Sequence, residues 1–75
     1  MGHSAQVKMR LLLNGSSIPI VQMGPDFLIL QSAMEHPPGD ATLELCVDAS
    51  ERRWKVQLPR GISSASRTVT IARVI

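Results

Sequence analysis

The sequence predicts an all-β fold, a small antiparallel meander or Greek-key barrel or sandwich of about six short strands. Two observations predict it. Apolar and polar residues alternate with period two over several stretches, the spacing that puts every second side chain on one side of a strand. Turn chemistry stands at nearly every join: Asn14-Gly15, Gly24-Pro25-Asp26, His36-Pro37-Pro38-Gly39-Asp40 and Pro59-Arg60-Gly61.

Residues 1–75 read as one domain, with residues 1–6 a frayed N-terminus. In Val7–Leu13 the residues Val7, Met9, Leu11 and Leu13 share one side, and Lys8 and Arg10 the other. Asn14-Gly15 follows, a strong hairpin signal because both residues tolerate positive φ. Ile18–Met23 is the returning strand. Pro19 lacks an N–H, so this strand is expected at a sheet edge, or Pro19 at its beginning. Phe27–Gln31 opens on four apolar residues without alternation, the pattern of a strand covered on both faces or packed on another subunit. Ser32–Glu35 is expected to form a single helical turn, stopped by Pro37-Pro38.

The second hairpin is the clearest unit. Ala41, Leu43, Leu45 and Val47 share one face, and Trp54, Val56 and Leu58 match them after an Ala49–Arg52 connection. Aligning the two apolar sets predicts Val47 opposite Trp54, Leu45 opposite Val56 and Leu43 opposite Leu58, with Asp48 opposite Arg53. Lys55 is then a cross-strand neighbour of Cys46. Residues 67–74 form a last β-branched stretch with Val69 and Ile71 inward, and the apolar Val74-Ile75 end is expected to dock in a sheet or an interface.

At 75 residues the chain is near the small end of what folds alone. Hydrophobic residues are 44% of it, yet Phe27 and Trp54 are the only aromatics, so the core is aliphatic. Small cores of this kind are often completed by a second copy. Cys46 is the only cysteine, which excludes an intrachain disulfide and suits a reducing compartment. No stretch approaches the roughly 20 apolar residues of a membrane-spanning helix. The expected location is cytoplasmic, with no membrane partner.

Charge is uneven. Residues 1–50 carry Lys8 and Arg10 against Asp26, Glu35, Asp40, Glu44 and Asp48, a net −3. Residues 51–75 carry Arg52, Arg53, Lys55, Arg60, Arg67 and Arg73 against Glu51 alone, a net +5. These six cations are the candidate anion-binding set. A solvated outer face is the plainer account of them.

No catalytic constellation is legible. His3 and His36 lack a nucleophile and an acid at a recognisable spacing, and one cysteine with scattered acids makes no metal set. Neither a catalytic residue, a metal nor a cofactor is expected. Arg52-Arg53-Trp54-Lys55 sets cations beside an aromatic, a combination that serves phosphates and stacked bases, but alternation turns Trp54 inward.

The runs Phe27-Leu28-Ile29-Leu30-Gln31-Ser32, Pro37-Pro38-Gly39, Leu43-Glu44-Leu45 and Lys55-Val56-Gln57-Leu58 resemble the strand rhythm in the second half of a PilZ barrel. In that family an Arg-x-x-x-Arg segment and Asp/Asn-x-Ser-x-x-Gly bind cyclic di-GMP. Here no two arginines have that spacing, and Arg53 stands where glycine would follow Asp48-Ala49-Ser50. No ligand residue carries over.

The leading expectation is a non-enzymatic β-domain acting through protein contacts, most simply a homo-oligomer. Its candidate self-association residues are Phe27, Leu28, Ile29, Leu30, Val74 and Ile75, with the proline-bearing strand beside them. The alternative is an anion-binding regulatory module for nucleotide or nucleic acid.

Overall fold

The computed structural model describes residues 6–73. It is all-β: β1 (Val7–Leu13), β2 (Ser16–Met23), β3 (Phe27–Leu30), β4 (Gly39–Val47), β5 (Ser50–Leu58), β6 (Thr68–Thr70) and β7 (Ala72–Arg73). All pairings are antiparallel, in the order β6-β3-β2-β1-β4-β5-β7. Three hairpin-linked strands with β4 returning beside β1 make a Greek key. The two outermost strands, β6 and β7, are separated in the chain by Ile71 alone. The sheet edges must therefore meet, and the sheet curls into a nearly closed barrel.

That single residue explains why seven strands stand where about six are predicted. The C-terminal stretch changes partner at Ile71, pairing with β3 before it and β5 after it. Ile71 is buried, and its N–H donates to the Asp26 carbonyl at 3.0 Å. The corner is thus anchored by both its side chain and its backbone.

The core is aliphatic: Leu11, Leu28, Leu30, Leu43, Val56, Leu58 and Val69 are sealed from solvent. Each such side chain contributes about 1.5–3 kcal/mol of burial energy. Asn14 and Gly15 both have positive φ, 47° and 83°, so the first hairpin closes through a type I′ turn that matches strand twist.

Four expectations need correction. β2 lies inside the sheet, between β1 and β3, and Pro19 lies within it rather than at its start. The strand tolerates Pro19 because pairing with β3 begins only at Ile20, and beyond it Pro19 serves as acceptor for the Gln31 N–H. Ser32–Glu35 form no helical turn: after a bend at Gln31 and Ser32 the chain is irregular and leads into a bridge between His36 and Ile62. Gly61 makes that approach possible. Its φ is +62°, and a Cβ there would run into the His36 carbonyl oxygen.

The third correction is the register of the β4–β5 hairpin. Leu43 stands opposite Trp54, Ala41 opposite Val56 and Gly39 opposite Leu58, a slip of four residues from the predicted alignment. Asp48 adopts a φ of 53°, so Asp48-Ala49 suffices as the turn and the strands run on to Val47 and Ser50. An even slip keeps every side chain on its expected face.

The fourth concerns the N-terminus. Gln6 is tied down by reciprocal bonds with Asp48: its N–H donates to Asp48 Oδ1 at 3.1 Å, and its carbonyl accepts from the Asp48 N–H at 2.9 Å. Residues 1–5 lie outside the described part. No described helix is long and apolar enough to cross a membrane.

Candidate interaction surface

Burial along β1, β4 and β5 falls steadily toward the hairpin tip. On the inward face, β4 runs from buried Ala41 and Leu43 to half-buried Leu45 and Val47. β5 runs from buried Leu58 and Val56 through half-buried Trp54 to exposed Arg52 and Ser50. β1 matches them, from buried Leu13 and Leu11 to half-buried Met9 and exposed Val7. These three strands run past the closed part of the barrel, and their apolar face loses its cover.

Among the described residues, β7 pairs with Val56 and Gln57, and no described strand lies beside β5 along Ser50–Arg53 at the same end. Hairpin geometry sets which backbone groups face outward. A two-residue turn makes Val47 and Ser50 the hydrogen-bonded pair, so Ser50, Arg52 and Trp54 direct their backbone toward β4. Glu51, Arg53 and Lys55 then direct theirs outward. None of these three takes part in any described backbone hydrogen bond outside the strand ladders.

The polar face of this end holds one ordered ion cluster. Glu44 is buried, and its carboxylate accepts from Arg53 Nε at 2.8 Å and pairs with Arg53 Nη2 at 2.8 Å. Arg10 Nη1 lies 3.7 Å from its other oxygen, and Arg53 also reaches Glu51 at 2.9 Å. Register explains the grouping, since Arg10, Glu44 and Arg53 are directly opposed on three adjacent strands. The alternation of β4 marked Glu44 as outward-facing but did not reveal that two arginines would flank and cover it.

Cys46 stands opposite Glu51, not beside Lys55 as the predicted register had it. Desolvation, with the Glu44 and Glu51 carboxylates behind it, pushes the thiol above its usual range. A raised thiol is a weaker nucleophile at neutral pH. Glu44, Cys46 and Glu51 bring ligand-type atoms within 4.8 Å of one another, but both carboxylates are already engaged by Arg53.

The six candidate anion-binding residues are split up. Arg53 and Lys55 lie on the outer face, and Arg53 is committed to carboxylates. Arg60 and Arg67 are exposed in the segments that flank the Gly61–Ser66 loop. Arg52 and Arg73 share the inward side with Trp54, as their register opposite Leu45 and Val56 requires. Arg73, Trp54, Met23, Pro25, Leu43 and Ile71 line a cleft of about 140 Å³ at the barrel mouth.

The candidate self-association residues are also redistributed. Leu28 and Leu30 are sealed inside the barrel because β3 is an interior strand between β2 and β6, so they have no surface to offer a partner. Phe27 and Ile29 are half-buried, the Phe27 ring lying where a Cβ on Gly24 would be. Val74 and Ile75 lie outside the described residues. What the apolar pattern missed was the edge of β5 at Ser50–Arg53, beside which no described strand lies.

Comparison with protein-family models, with curated proteins and with solved structures finds no match to this chain.

Proposed function

We propose that this chain is a non-enzymatic β-domain that works through protein contacts, first of all with a second copy of itself. The observation that carries this reading is the coincidence, at one end, of a strand edge without a described neighbour and a thinly covered apolar face. Among the described residues the edge is Ser50–Arg53, and the face is Val7, Met9, Leu45, Val47 and Trp54. An open edge is a ready template for strand addition, and a domain this small gains from sharing its sheet. Size-exclusion chromatography with light scattering over a range of concentrations tests it. A concentration-dependent dimer is expected, and a strict monomer at high concentration overturns the reading.

A second reading is supported by the mouth cleft, which Arg73 and Trp54 line together. A cation next to a half-buried indole suits a small anion with an apolar body. Nucleotide or nucleic-acid binding that weakens steeply with salt supports this reading, and no binding at low salt eliminates it.

A further inference from the structure

We propose that Asn14 is a site of spontaneous chemical modification, its side-chain amide converting to aspartate and isoaspartate at a rate set by opening of the β1–β2 turn. The reaction needs no partner and proceeds whether or not the chain self-associates.

The sequence supplies the reactants. Asn14 is the only asparagine in the chain, and Gly15 follows it. The nucleophile is the Gly15 main-chain nitrogen, which must come up against Asn14 Cγ, and a side chain on the following residue would obstruct that approach. Glycine brings none, and even a Cβ built at Gly15 would find nothing within 4 Å. Both residues are exposed, and among the described backbone hydrogen bonds none engages the Gly15 N–H. Water and hydroxide therefore reach the reacting atoms. Hydroxide takes the Gly15 amide proton, and the nitrogen bonds to Asn14 Cγ. The bond from Cγ to the side-chain nitrogen breaks and ammonia leaves, its third proton drawn from water. Water then opens the five-membered imide. Attack at Cγ leaves aspartate, whereas attack at the Asn14 main-chain carbonyl leaves isoaspartate, with the chain rerouted through Cβ and Cγ. No electron donor or acceptor is required.

The fold governs both the rate and the outcome. With φ of 47° at Asn14 and 83° at Gly15, both residues occupy the left-handed region of a type I′ turn. Closing the imide demands a different rotation about the Asn14 Cα–C bond, so the ring cannot form until the turn opens locally. Leu13 stands opposite Ser16, a two-residue turn that leaves no slack. Isoaspartate lengthens the main chain there by one methylene, and Leu13 and Ser16 no longer close the ladder. The disturbance reaches the core directly, because Leu13 and Leu11 behind it are buried. Each product also gains a carboxylate, which lowers the formal net charge of +2 by one.

Incubation of the full chain at mildly alkaline pH, folded and in urea, tests this by peptide mass mapping. The mass gain of amide-to-acid conversion should appear on the peptide that holds Asn14, and should accrue about tenfold or more slowly in the folded chain than in urea. Ion exchange separates the products by their lost charge, and fragmentation at the Cα–Cβ bond identifies isoaspartate. Asn14→Asp is the reference, since aspartate tolerates the positive φ of the turn and has no amide to lose. It should fold and gain no mass, and the isoaspartate form should melt below it. Should Asn14→Asp fail to fold, the unmodified chain serves as the reference for melting. Equal rates in the folded chain and in urea overturn control by the turn. A folded chain still unmodified after an incubation about a hundredfold longer than the unfolded chain needs overturns the site itself. An isoaspartate form that melts with the reference overturns the consequence for the hairpin.

Discussion

The body of the barrel and its projecting end are built from the same strands yet solve opposite problems. In the body, Leu11, Leu43 and Val56 lie on three adjacent strands and are fully enclosed, because β2, β3, β6 and Ile71 close over them. A few residues along the same strands, Met9, Leu45 and Trp54 keep the inward orientation but lose the cover. Orientation is therefore set by alternation, whereas burial depends on what stands across the barrel. The polar face shows the reverse: it is open around the body, but at the projecting end it holds the enclosed carboxylate of Glu44.

Truncating one apolar side chain in each region gives the largest contrast. Leu28→Ala in the body should cost about 2–5 kcal/mol in urea unfolding, enough to threaten the fold of so small a domain. Leu45→Ala at the projecting end should cost less than half as much. Equal losses would show that the two ends are packed alike. Next is Gly61→Ala, where positive φ and the His36 carbonyl leave no room for a methyl group. A loss of about 2 kcal/mol is expected, and an unchanged melting temperature would mean that the bridge to Ile62 is dispensable.

Glu44→Gln sharpens the polar side of the comparison. Arg53 and Arg10 are half-exposed and can turn to water, so the loss should be only about 1–2 kcal/mol. It should shrink with added salt far less than a surface pair would, because the carboxylate is enclosed. The smallest effect concerns Cys46. Its raised pKa leaves less thiolate at neutral pH than an unperturbed thiol has, so alkylation by iodoacetamide at pH 7 should be slower in the folded chain than in urea. The rate should climb only as pH passes above the ordinary thiol range. Faster labelling in the folded state would contradict the environment described for it.

Much of the fold was legible because alternation is a local property. Val7–Leu13, Ala41–Val47 and Trp54–Leu58 each announce their inward set, and Asn14-Gly15 announces its turn. The register of the second hairpin was not legible, because two apolar sets of matching period fit equally well at slips of two or four residues. The choice fell to Asp48, an aspartate that accepts positive φ, and nothing in the pattern singled it out. Pro19 misled for a related reason, since its cost depends on where β3 begins to pair. The edge of β5 was hidden because edges are a property of topology. Only the strand order shows which strand stands at the rim, and the charged residues there resemble any solvated face.

Ile71 has a mechanical consequence. Because one residue links the first and last strands of the sheet, neither rim can peel away without dragging the other. The seam should open as a unit, and amide protons on β3 and β5 that face it should exchange with solvent at a common rate despite lying about thirty residues apart in the chain.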